Sequence, residues 1–361
     1  MQGIKIHSFP ASGLYTLWVR IDWIYVPFRV INTLTKNTPH LKGAHTMKNT
    51  LRQQEEMKKQ TIGVEVEMYN ITRANAAKTA ATFFRTGRYE YTAARNGYQT
   101  WSAWDNQGRE WKFQRDVSIQ ARTDEEKCEM VTPILTYADI ETLQELIRQM
   151  RHAGAKSDPT HTCGVHIHIG AAGHNARTLR NLANLMASHE RLLISAIRLD
   201  QTRIDRYCRT VSERFLKELN RKKPETMQEL ADIWYEGNGA SFGRTHHYND
   251  SRYHMLNLHA TFTKGTIEFR LFQFANPEGG KRNGLHAGEL KSYIQLCLAL
   301  SAQAKLARSA SARPPQEENE RYAMRTWLLR LGFIGDEFET AREILTRNLA
   351  GDAAFRSGRA A

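Results

Sequence analysis

Acidic, histidine and arginine side chains recur two residues apart in four short apolar segments of this sequence. The pairs are Glu65 with Glu67, His166 with His168, Asn257 with His259, and Glu268 with Arg270. Because successive side chains of a β-strand point to opposite faces, residues two apart share a face. The pattern therefore predicts strands that are apolar on one face and ionisable on the other. A repeated set of glutamate, histidine and arginine without lysine suits a sheet that holds divalent cations and phosphate.

Each of these residues also has an ordinary structural interpretation. Two glutamates on an otherwise apolar strand are costly to bury unless a metal ion or an arginine lies between them; the alternative is a solvated strand face. Glu129 lies among apolar residues in the segment CEMVTPIL, which favours an inward, functional position. Core histidines bonded to the backbone are the alternative for His166 and His168. A plain structural ion pair is the alternative for Glu268 with Arg270.

The motif content favours a hard metal ion and arginine over other means of holding a nucleotide. The guanidinium of Arg270 suits phosphate recognition, because its planar fork binds two oxygens at once. Oxygen-rich sites with little sulfur select Mg²⁺ or Mn²⁺ rather than zinc, and the zinc motif HExxH is absent. The glycine-rich motifs GxGxxG and GxxxxGK are absent as well, so we expect any nucleotide to be held through metal and arginine.

The charge of the chain argues against a nucleic-acid partner, although the formal net charge is +13. Residues 1–60 carry nine lysines and arginines against three acidic residues, so nearly half of the excess lies outside the patterned region. The remainder is dispersed, without basic runs that alternate with aromatic residues. A mild positive field of this kind suits an anionic small substrate equally well.

Cysteine usage and hydropathy predict a cytoplasmic protein. Four scattered cysteines without CxxC spacing favour buried free thiols over a disulfide or zinc framework; they are Cys128, Cys163, Cys208 and Cys297. No run approaches the roughly 20 apolar residues that a membrane helix needs. The early apolar stretch is interrupted by Arg20 and Asp22, which makes it a poor signal peptide.

From residue 61 onward the sequence predicts an α+β fold, because strand patterns alternate with helical periods and hairpins at irregular spacing. We expect a catalytic domain over residues 61–308, followed by a linker and a C-terminal helical segment over 309–361. Residues 200–250 are polar and glycine-containing, which is typical of flexible insertions on the substrate side. Strands over 253–261 and 266–274 are predicted to form a hairpin, in which Gly265 supplies a positive φ.

Residues 1–60 form a poorly patterned extension that lacks a helical period and clear turn chemistry. Two internal methionines, Met47 and Met57, directly precede the first patterned strand, so we expect one of them to be the natural start. The alternative is an extension that docks on the core.

Six segments together resemble the amidoligase family, the carboxylate–amine ligases related to glutamine synthetase and glutamate–cysteine ligase. In order, they are GVEVEMY, DVSI, CEMVTPIL, CGVHIHI, RYHMLNLH and IEFRLF. The resemblance covers residues 61–349. It implies a glutamine-synthetase-type curved, mainly antiparallel sheet with helices packed on its outer face. The chain departs from the family pattern at Val117, between Asp116 and Ser118, where glycine is usual. The loop 275–288 is also longer than the short turn that the family pattern implies, and a loop of this length could line the substrate pocket.

The same resemblance assigns roles to the paired residues. It implies metal ligation by Glu65, Glu67, Glu129 and Glu268, with His166 or His168 beside them. It implies that Arg252 and Arg270 contact the phosphates of ATP or of an acyl phosphate. We expect Arg270, Arg252 and His168 to be catalytic, and Asn257 and His259 to join the two arginines in holding the cofactor.

These assignments predict an ATP- and Mg²⁺-dependent (or Mn²⁺-dependent) ligase that joins a carboxylate to an amine through an acyl phosphate. One alternative is a guanidino- or carboxylate-kinase of the same fold, which would stop at phosphorylation. Another is a non-catalytic, basic nucleic-acid-binding protein. The substrates are small molecules or peptides, and candidates include an amino acid, a cell-wall peptide and a ribosomal peptide. The sequence specifies neither which of these is used nor the oligomeric state.

Overall fold

The structure is a computed structural model. It describes residues 16–21, 24–29, 39–92, 97–239, 242–274, 284–316 and 318–354, with side chains from residue 49 onward. The chain divides into two compact units, Met1–Lys48 and Asn49–Ala361. The first contains an antiparallel pair of strands, β1 (Thr16–Ile21) and β2 (Ile24–Arg29). All of the residues with predicted roles lie in the second unit.

The second unit contains an eight-stranded sheet with antiparallel pairing throughout. Its strands are β3 (Ile62–Met68), β4 (Tyr89–Tyr91), β5 (Trp101–Trp104), β6 (Glu110–Gln114), β7 (Cys128–Val131), β8 (Val165–Gly170), β9 (Leu256–Asn257) and β10 (Thr266–Phe272). They are arranged in the order β4-β5-β6-β7-β3-β8-β10-β9. The strands that carry the paired residues, β7, β3, β8, β10 and β9, are therefore consecutive neighbours.

Helices cover one face of this sheet. The helices are α1 (Pro39–Lys58), α2 (Arg73–Phe83), α3 (Ile140–His152), α4 (Ala176–Ile197), α5 (Gln201–Arg206), α6 (Glu213–Lys222), α7 (Met227–Asn238), α8 (His259–Lys264), α9 (Ala287–Leu306), α10 (Glu320–Arg330) and α11 (Glu339–Thr346). Helix α2 packs on β4 to β7 and α9 packs on β8, with α3 and α4 beside α9. Val64, Val66 and Ile167 belong to the hydrophobic core. Because side chains alternate along a strand, Glu65 and Glu67 point to the opposite face of the sheet.

Two predicted elements differ in part from the structure. Residues 200–250 contain the helices α5, α6 and α7, which were not predicted. The predicted antiparallel pairing over 253–274 is present, with Asn257 opposite Glu268, but β9 ends at Asn257 and α8 begins at His259, so a helix connects the two strands in place of a tight turn. Gly265 does have the predicted positive φ, of 70°, but it caps the end of α8 instead of forming a hairpin turn.

Helix α1 was not predicted, because the pattern of residues 1–60 shows no helical period. In its described part, Met57 is fully buried and Gln53 is 3% exposed. The Gln53 side chain donates a hydrogen bond to the carbonyl of Ala299 at 2.8 Å, and Gln60 donates to that of Leu298 at 2.9 Å. Polar side chains thus make much of the contact between this segment and α9, which an apolar period does not reveal.

All four cysteines are buried free thiols, as predicted. Among the described residues, no helix combines the length and apolarity needed to cross a membrane.

Candidate active site

The register of three strands brings together the glutamates and histidines on the sheet face opposite α2 and α9. Glu67 on β3 lies directly opposite Glu129 on β7, and Glu65 lies opposite His166 on β8. The His166 ring reaches both glutamates of β3, since its Nδ1 lies 2.9 Å from Glu65 Oε2 and its Nε2 lies 3.8 Å from Glu67 Oε1. The predicted shared face of these strands is therefore confirmed.

His168 occupies the next position on that face, opposite both Gly63 and Glu268. Its Nδ1 is hydrogen-bonded to Thr266 Oγ1 at 3.0 Å. Its Nε2 is buried and has no hydrogen-bond partner among the described residues, although Glu65 Oε1 lies 3.3 Å away. A buried ring nitrogen that faces a carboxylate without bonding to it is well suited to bind a metal ion.

Glu268 differs from the other glutamates, because an arginine side chain is hydrogen-bonded directly to its carboxylate. Its Oε1 accepts a hydrogen bond from Arg270 Nη1, and its Oε2 accepts one from Asn257 Nδ2 at 2.7 Å. Burial opposes ionisation, but Arg270 and the neighbouring histidines hold the pKa of Glu268 down at about 2. The ion pair of Glu268 with Arg270 is therefore present, and it fixes the Arg270 guanidinium beside the glutamates and histidines of this face.

The remaining carboxylates have contrasting electrostatic surroundings. Burial, and then the charges of Glu65, Asp116 and Glu67, raise the pKa of Glu129 well above its ordinary value. Burial also raises the pKa of Glu67. Burial acts in the same sense on Glu65, but the neighbouring histidines outweigh it and hold its pKa well below the ordinary value. The positive charge near Glu67 and Glu129 is thus too small to offset the effects that disfavour their ionised forms.

A divalent cation fits this donor set. Three groups of side chains have ligand atoms within 4.8 Å of one another: Glu65 with His168 and Glu268, Glu65 with Glu129 and His166, and Glu67 with Asp116 and Glu129. We call these residues the acid cluster. Carboxylate oxygens with one imidazole nitrogen suit Mg²⁺ or Mn²⁺. The orphaned nitrogen of His168 and the repulsion around Glu129 are both features that a bound cation would relieve.

A glycine and a buried arginine hold Glu67 in place. The Gly164 amide donates to Glu67 Oε2 at 2.5 Å, and Arg203 Nη1 lies 3.9 Å from the same oxygen. Arg203 is 2% exposed, and its guanidinium lies so close to Gly164 that an added Cβ would be 2.0 Å from Nη2. Only glycine is compatible with this approach. Gly164 stands in the CGVHIHI segment, but nothing in the sequence relates it to Arg203.

A cleft of 310 Å³ adjoins the acid cluster. Glu67 and His166 belong to both, and Asp116 lines the cleft as well. The other lining side chains are mainly arginine and tyrosine: Arg115, Arg203, Arg252, Arg270, Tyr98, Tyr207, Tyr248 and Tyr253. Ser118 and the exposed Val117 also line it, so the segment at which the family resemblance departs contributes directly to the cleft. A cleft of this composition can bind a phosphate-bearing or carboxylate-bearing ligand.

Of the other residues predicted to hold the cofactor, Arg252 lines the cleft, whereas Asn257 and His259 are not among its lining residues. Asn257 contacts Glu268 instead of facing the cleft. His259 lies in α8, not on a strand, and its Nδ1 is hydrogen-bonded to the Tyr235 hydroxyl at 2.8 Å. It is therefore not paired with Asn257 on a strand face and is not among the cleft-lining residues. The long loop that begins at residue 275 lies outside the described residues as far as 283.

Sequence reasoning missed the tyrosines, Arg115, Arg203 and Gln114. Gln114 on β6 lies opposite Glu129 and donates to its Oε2 at 2.8 Å. Its strand pattern was recognisable, but a glutamine on a strand carries no signal of its own. Arg203 lay in a region interpreted as an insertion, so its burial beside Glu67 was not foreseeable.

The chain is similar to a known protein family and to a solved structure. The family model described as "Putative amidoligase enzyme" matches residues 58–301, about two thirds of the chain. Among solved structures, the chain is similar to a bifunctional glutathione synthetase from Pasteurella multocida, with 13% sequence identity and a TM-score of 0.41. The match covers 86% of this chain and 49% of that protein, so the chain spans about half of its length. No curated protein matches the sequence.

Proposed function

We propose that this chain, which belongs to the amidoligase family, is an ATP- and Mg²⁺-dependent carboxylate–amine ligase that forms an amide through an acyl phosphate. One observation carries this proposal: the acid cluster and the arginine-lined cleft share Glu67 and His166. Carboxylates that can hold a cation therefore border the space in which arginines can hold phosphate. That juxtaposition suits phosphoryl transfer, in which positioning and charge neutralisation supply most of the catalysis.

We further propose that the sheet is of the glutamine-synthetase type. An antiparallel sheet with helices on one face and the acid cluster on the other supports this architecture. In such an arrangement the face that carries the acid cluster is the catalytic face, and each strand contributes side chains at alternate positions.

The acid cluster would hold the metal ions. Glu67 and Glu129 would share one cation, with Asp116 beside them, while the Nε2 atom of His168 and Glu65 face a second position. Bound Mg²⁺ or Mn²⁺ would supply charge neutralisation for the phosphates of ATP. Gln114 and the Gly164 amide orient Glu129 and Glu67, so the ligands are held in place before a cation arrives.

Arg270 would grip the phosphoryl group that is transferred. Its guanidinium is 5% exposed, bonded to Glu268, and positioned over the Tyr253 ring at 5.8 Å. Such fixation removes most of the entropy cost of ordering a long side chain on substrate binding. Glu268 thereby acts mainly to position Arg270, and Asn257 positions Glu268 in turn.

The proposed reaction has two steps. A carboxylate oxygen of the substrate attacks the γ-phosphorus of ATP, and ADP leaves with the bridging oxygen. An amine then attacks the acyl carbon, the bond from that carbon to the phosphate oxygen breaks, and the amine loses a proton. Inorganic phosphate therefore departs with one oxygen that came from the carboxylate.

Isotope transfer tests this route. Carboxylates labelled with ¹⁸O, paired with amines in the presence of ATP and Mg²⁺, should give ADP and labelled phosphate. Arg270→Lys should be strongly impaired, because an ammonium cannot reproduce the two-oxygen grip. Arg88→Lys is the matched control, since Arg88 is exposed beside Trp104 and Glu90. AMP with pyrophosphate would refute the mechanism, and phosphorylation that never proceeds to an amide would identify a kinase.

A further inference from the structure

Two tyrosines that are distant in sequence meet at the cleft. The hydroxyls of Tyr98 and Tyr248 lie 3.0 Å apart, although 150 residues separate them. Both side chains line the cleft, and Tyr248 remains 49% exposed. An exposed hydrogen bond of this kind exchanges readily with water and contributes little to fold stability. Support of the core therefore does not explain why these two tyrosines meet at the cleft.

The segment that carries Tyr248 is fixed at its base. Asn249 is fully buried, and its side-chain amide donates to the carbonyls of Phe242 at 2.7 Å and Gly243 at 3.2 Å. His247 lies edge-on to the Tyr248 ring, with their centroids 4.6 Å apart. A rigid base with an exposed aromatic tip is an arrangement that can open and close over a ligand without unfolding.

Tyr98 approaches from the opposite side of the cleft, where it is tied to the sheet. Its carbonyl accepts a hydrogen bond from the Arg115 amide at 2.7 Å, directly after β6. The hydrogen bond with the Tyr248 hydroxyl, followed by burial, raises the pKa of Tyr98 to about 12. At neutral pH the hydroxyl of Tyr98 therefore stays protonated and able to take part in the contact.

Arg252 lies beneath this contact. Its guanidinium is 5.6 Å from the Tyr248 ring and 5.7 Å from the Tyr253 ring, and Nη1 donates to the carbonyl of His247 at 3.1 Å. No carboxylate forms an ion pair with Arg252 in the part of the chain that the structure describes. Stacked tyrosines orient the cation without neutralising it. An oriented, unneutralised arginine that lines a cleft is suited to bind an oxyanion.

We propose that the Tyr98–Tyr248 contact is a latch, which closes over an oxyanion held by Arg252 and retains it in the cleft. Tyr248 is a positioning residue in this scheme, because its ring orients Arg252 while its hydroxyl completes the latch. Closure also keeps water away from the acyl phosphate, which would otherwise be hydrolysed before the amine arrives. The inference rests on the proposed function in one respect, that a phosphate-bearing ligand occupies this cleft.

A double-mutant cycle tests the latch with inorganic pyrophosphate and Mg²⁺ as the probe. Tyr98→Phe and Tyr248→Phe each remove one hydroxyl and keep the ring, so each should raise the dissociation rate of the probe roughly fivefold, the equivalent of one hydrogen bond. The double variant should release the probe no faster than either single variant, because both lose the same contact. Tyr91→Phe, on the exposed part of β4 away from the cleft, is the matched control.

Arginine variants test the bound group separately. Arg252→Gln should weaken pyrophosphate affinity at least tenfold, and Arg252→Lys should recover part of it. Unchanged dissociation rates in both phenylalanine variants, or effects that simply add, would overturn the latch. Pyrophosphate binding that is equal in Arg252→Gln and the wild type, or absent from the wild type, would overturn the oxyanion site. ATP turnover is measured independently, so failure of the ligase proposal is distinguishable from failure of the latch.

Discussion

Glu67 and Glu129 lie directly opposite each other on β3 and β7, so two carboxylates meet in the buried middle of the sheet. Glu129 receives a hydrogen bond from Gln114 but has no ion pair with lysine or arginine among the described residues. Like charges directly opposite each other destabilise a strand pair. The sheet therefore contains a repulsion that a divalent cation would convert into attraction.

Neutralising one of these acids should stabilise the metal-free protein. Glu129→Gln keeps the shape of the side chain and removes the repulsion, so we expect the unfolding free energy without metal to rise by about 1 kcal/mol. The same variant should lose the increase in melting temperature that Mg²⁺ or Mn²⁺ gives the wild type. Glu90→Gln, an exposed acid on β4, is the control and should keep that increase. An undiminished metal response in Glu129→Gln would exclude Glu129 as a ligand.

Gly164 should tolerate no side chain. An alanine Cβ would lie 2.0 Å from Arg203 Nη2, and the guanidinium is too tightly packed to withdraw. Gly164→Ala is expected to lower the unfolding free energy by roughly 1–3 kcal/mol and to weaken metal binding, because the Gly164 amide orients Glu67. Gly243→Ala is the matched control, since its Cβ would meet nothing within 4 Å. Denaturant titration of both variants would test this, and equal stability would show that the contact relaxes without cost.

Glu190 should make stability depend on pH. It is 6% exposed among apolar side chains, and burial raises its pKa to about 7 even though the Val211 amide donates to it. A carboxyl whose folded-state pKa exceeds its unfolded value of 4.5 favours folding when protonated. This contribution is fully present below pH 4.5 and is lost as the pH rises through 7. The shift corresponds to on the order of 3 kcal/mol.

Comparison of two variants would isolate that effect from the other titrating groups. Glu190→Gln cannot ionise, so its unfolding free energy should fall less than that of the wild type across this pH range. Glu141→Gln alters an exposed acid at the start of α3 and should retain the wild-type dependence. Parallel profiles for the wild type and Glu190→Gln would contradict the prediction.

Two truncations within α1 should differ in their effect on stability. A chain that begins at Met47 is expected to be as stable as the full chain, since it keeps every described contact of residues 49–60. A chain that begins at Met57 loses the Gln53 bond to Ala299 and the ion pair of Glu56 with Lys305. We expect that loss to lower the unfolding free energy by about 2 kcal/mol. Thermal unfolding of both chains, with Gln53→Ala in the full chain as a reference, would measure the difference.

Local patterns were sufficient for much of the fold and for the composition of the acid cluster. The alternation of Glu65 and Glu67 with apolar residues predicted a strand with two unlike faces, and the structure has it at Ile62–Met68. The local sequence from Asp105 to Gly108, rich in turn-forming residues, likewise forms a turn between β5 and β6. Alternation is a property of neighbouring residues, so it can be interpreted without knowing the fold.

Short elements with mixed signals were not predictable in this way. His259 continues the two-residue spacing from Asn257, yet α8 begins there and directs it to Tyr235. Six residues are too few for a helical period to appear in the sequence, and glycine at position 265 suits a turn and a helix end equally well. Helix α1 was missed for a related reason, because the polar residues Gln53 and Glu56 make its described hydrogen bonds to α9.

The sequence alone determined which side chains share a strand face, because that depends on a repeat of two residues along the backbone. Only the tertiary structure decided which faces lie side by side. The order of strands in the sheet places Glu67 opposite Glu129, and chain folding over 150 residues brings Tyr98 to Tyr248. The approach of Arg203 to Gly164 also depends on how α5 packs against β8. Such contacts arise from the packing of elements far apart in the chain, and no local pattern encodes them.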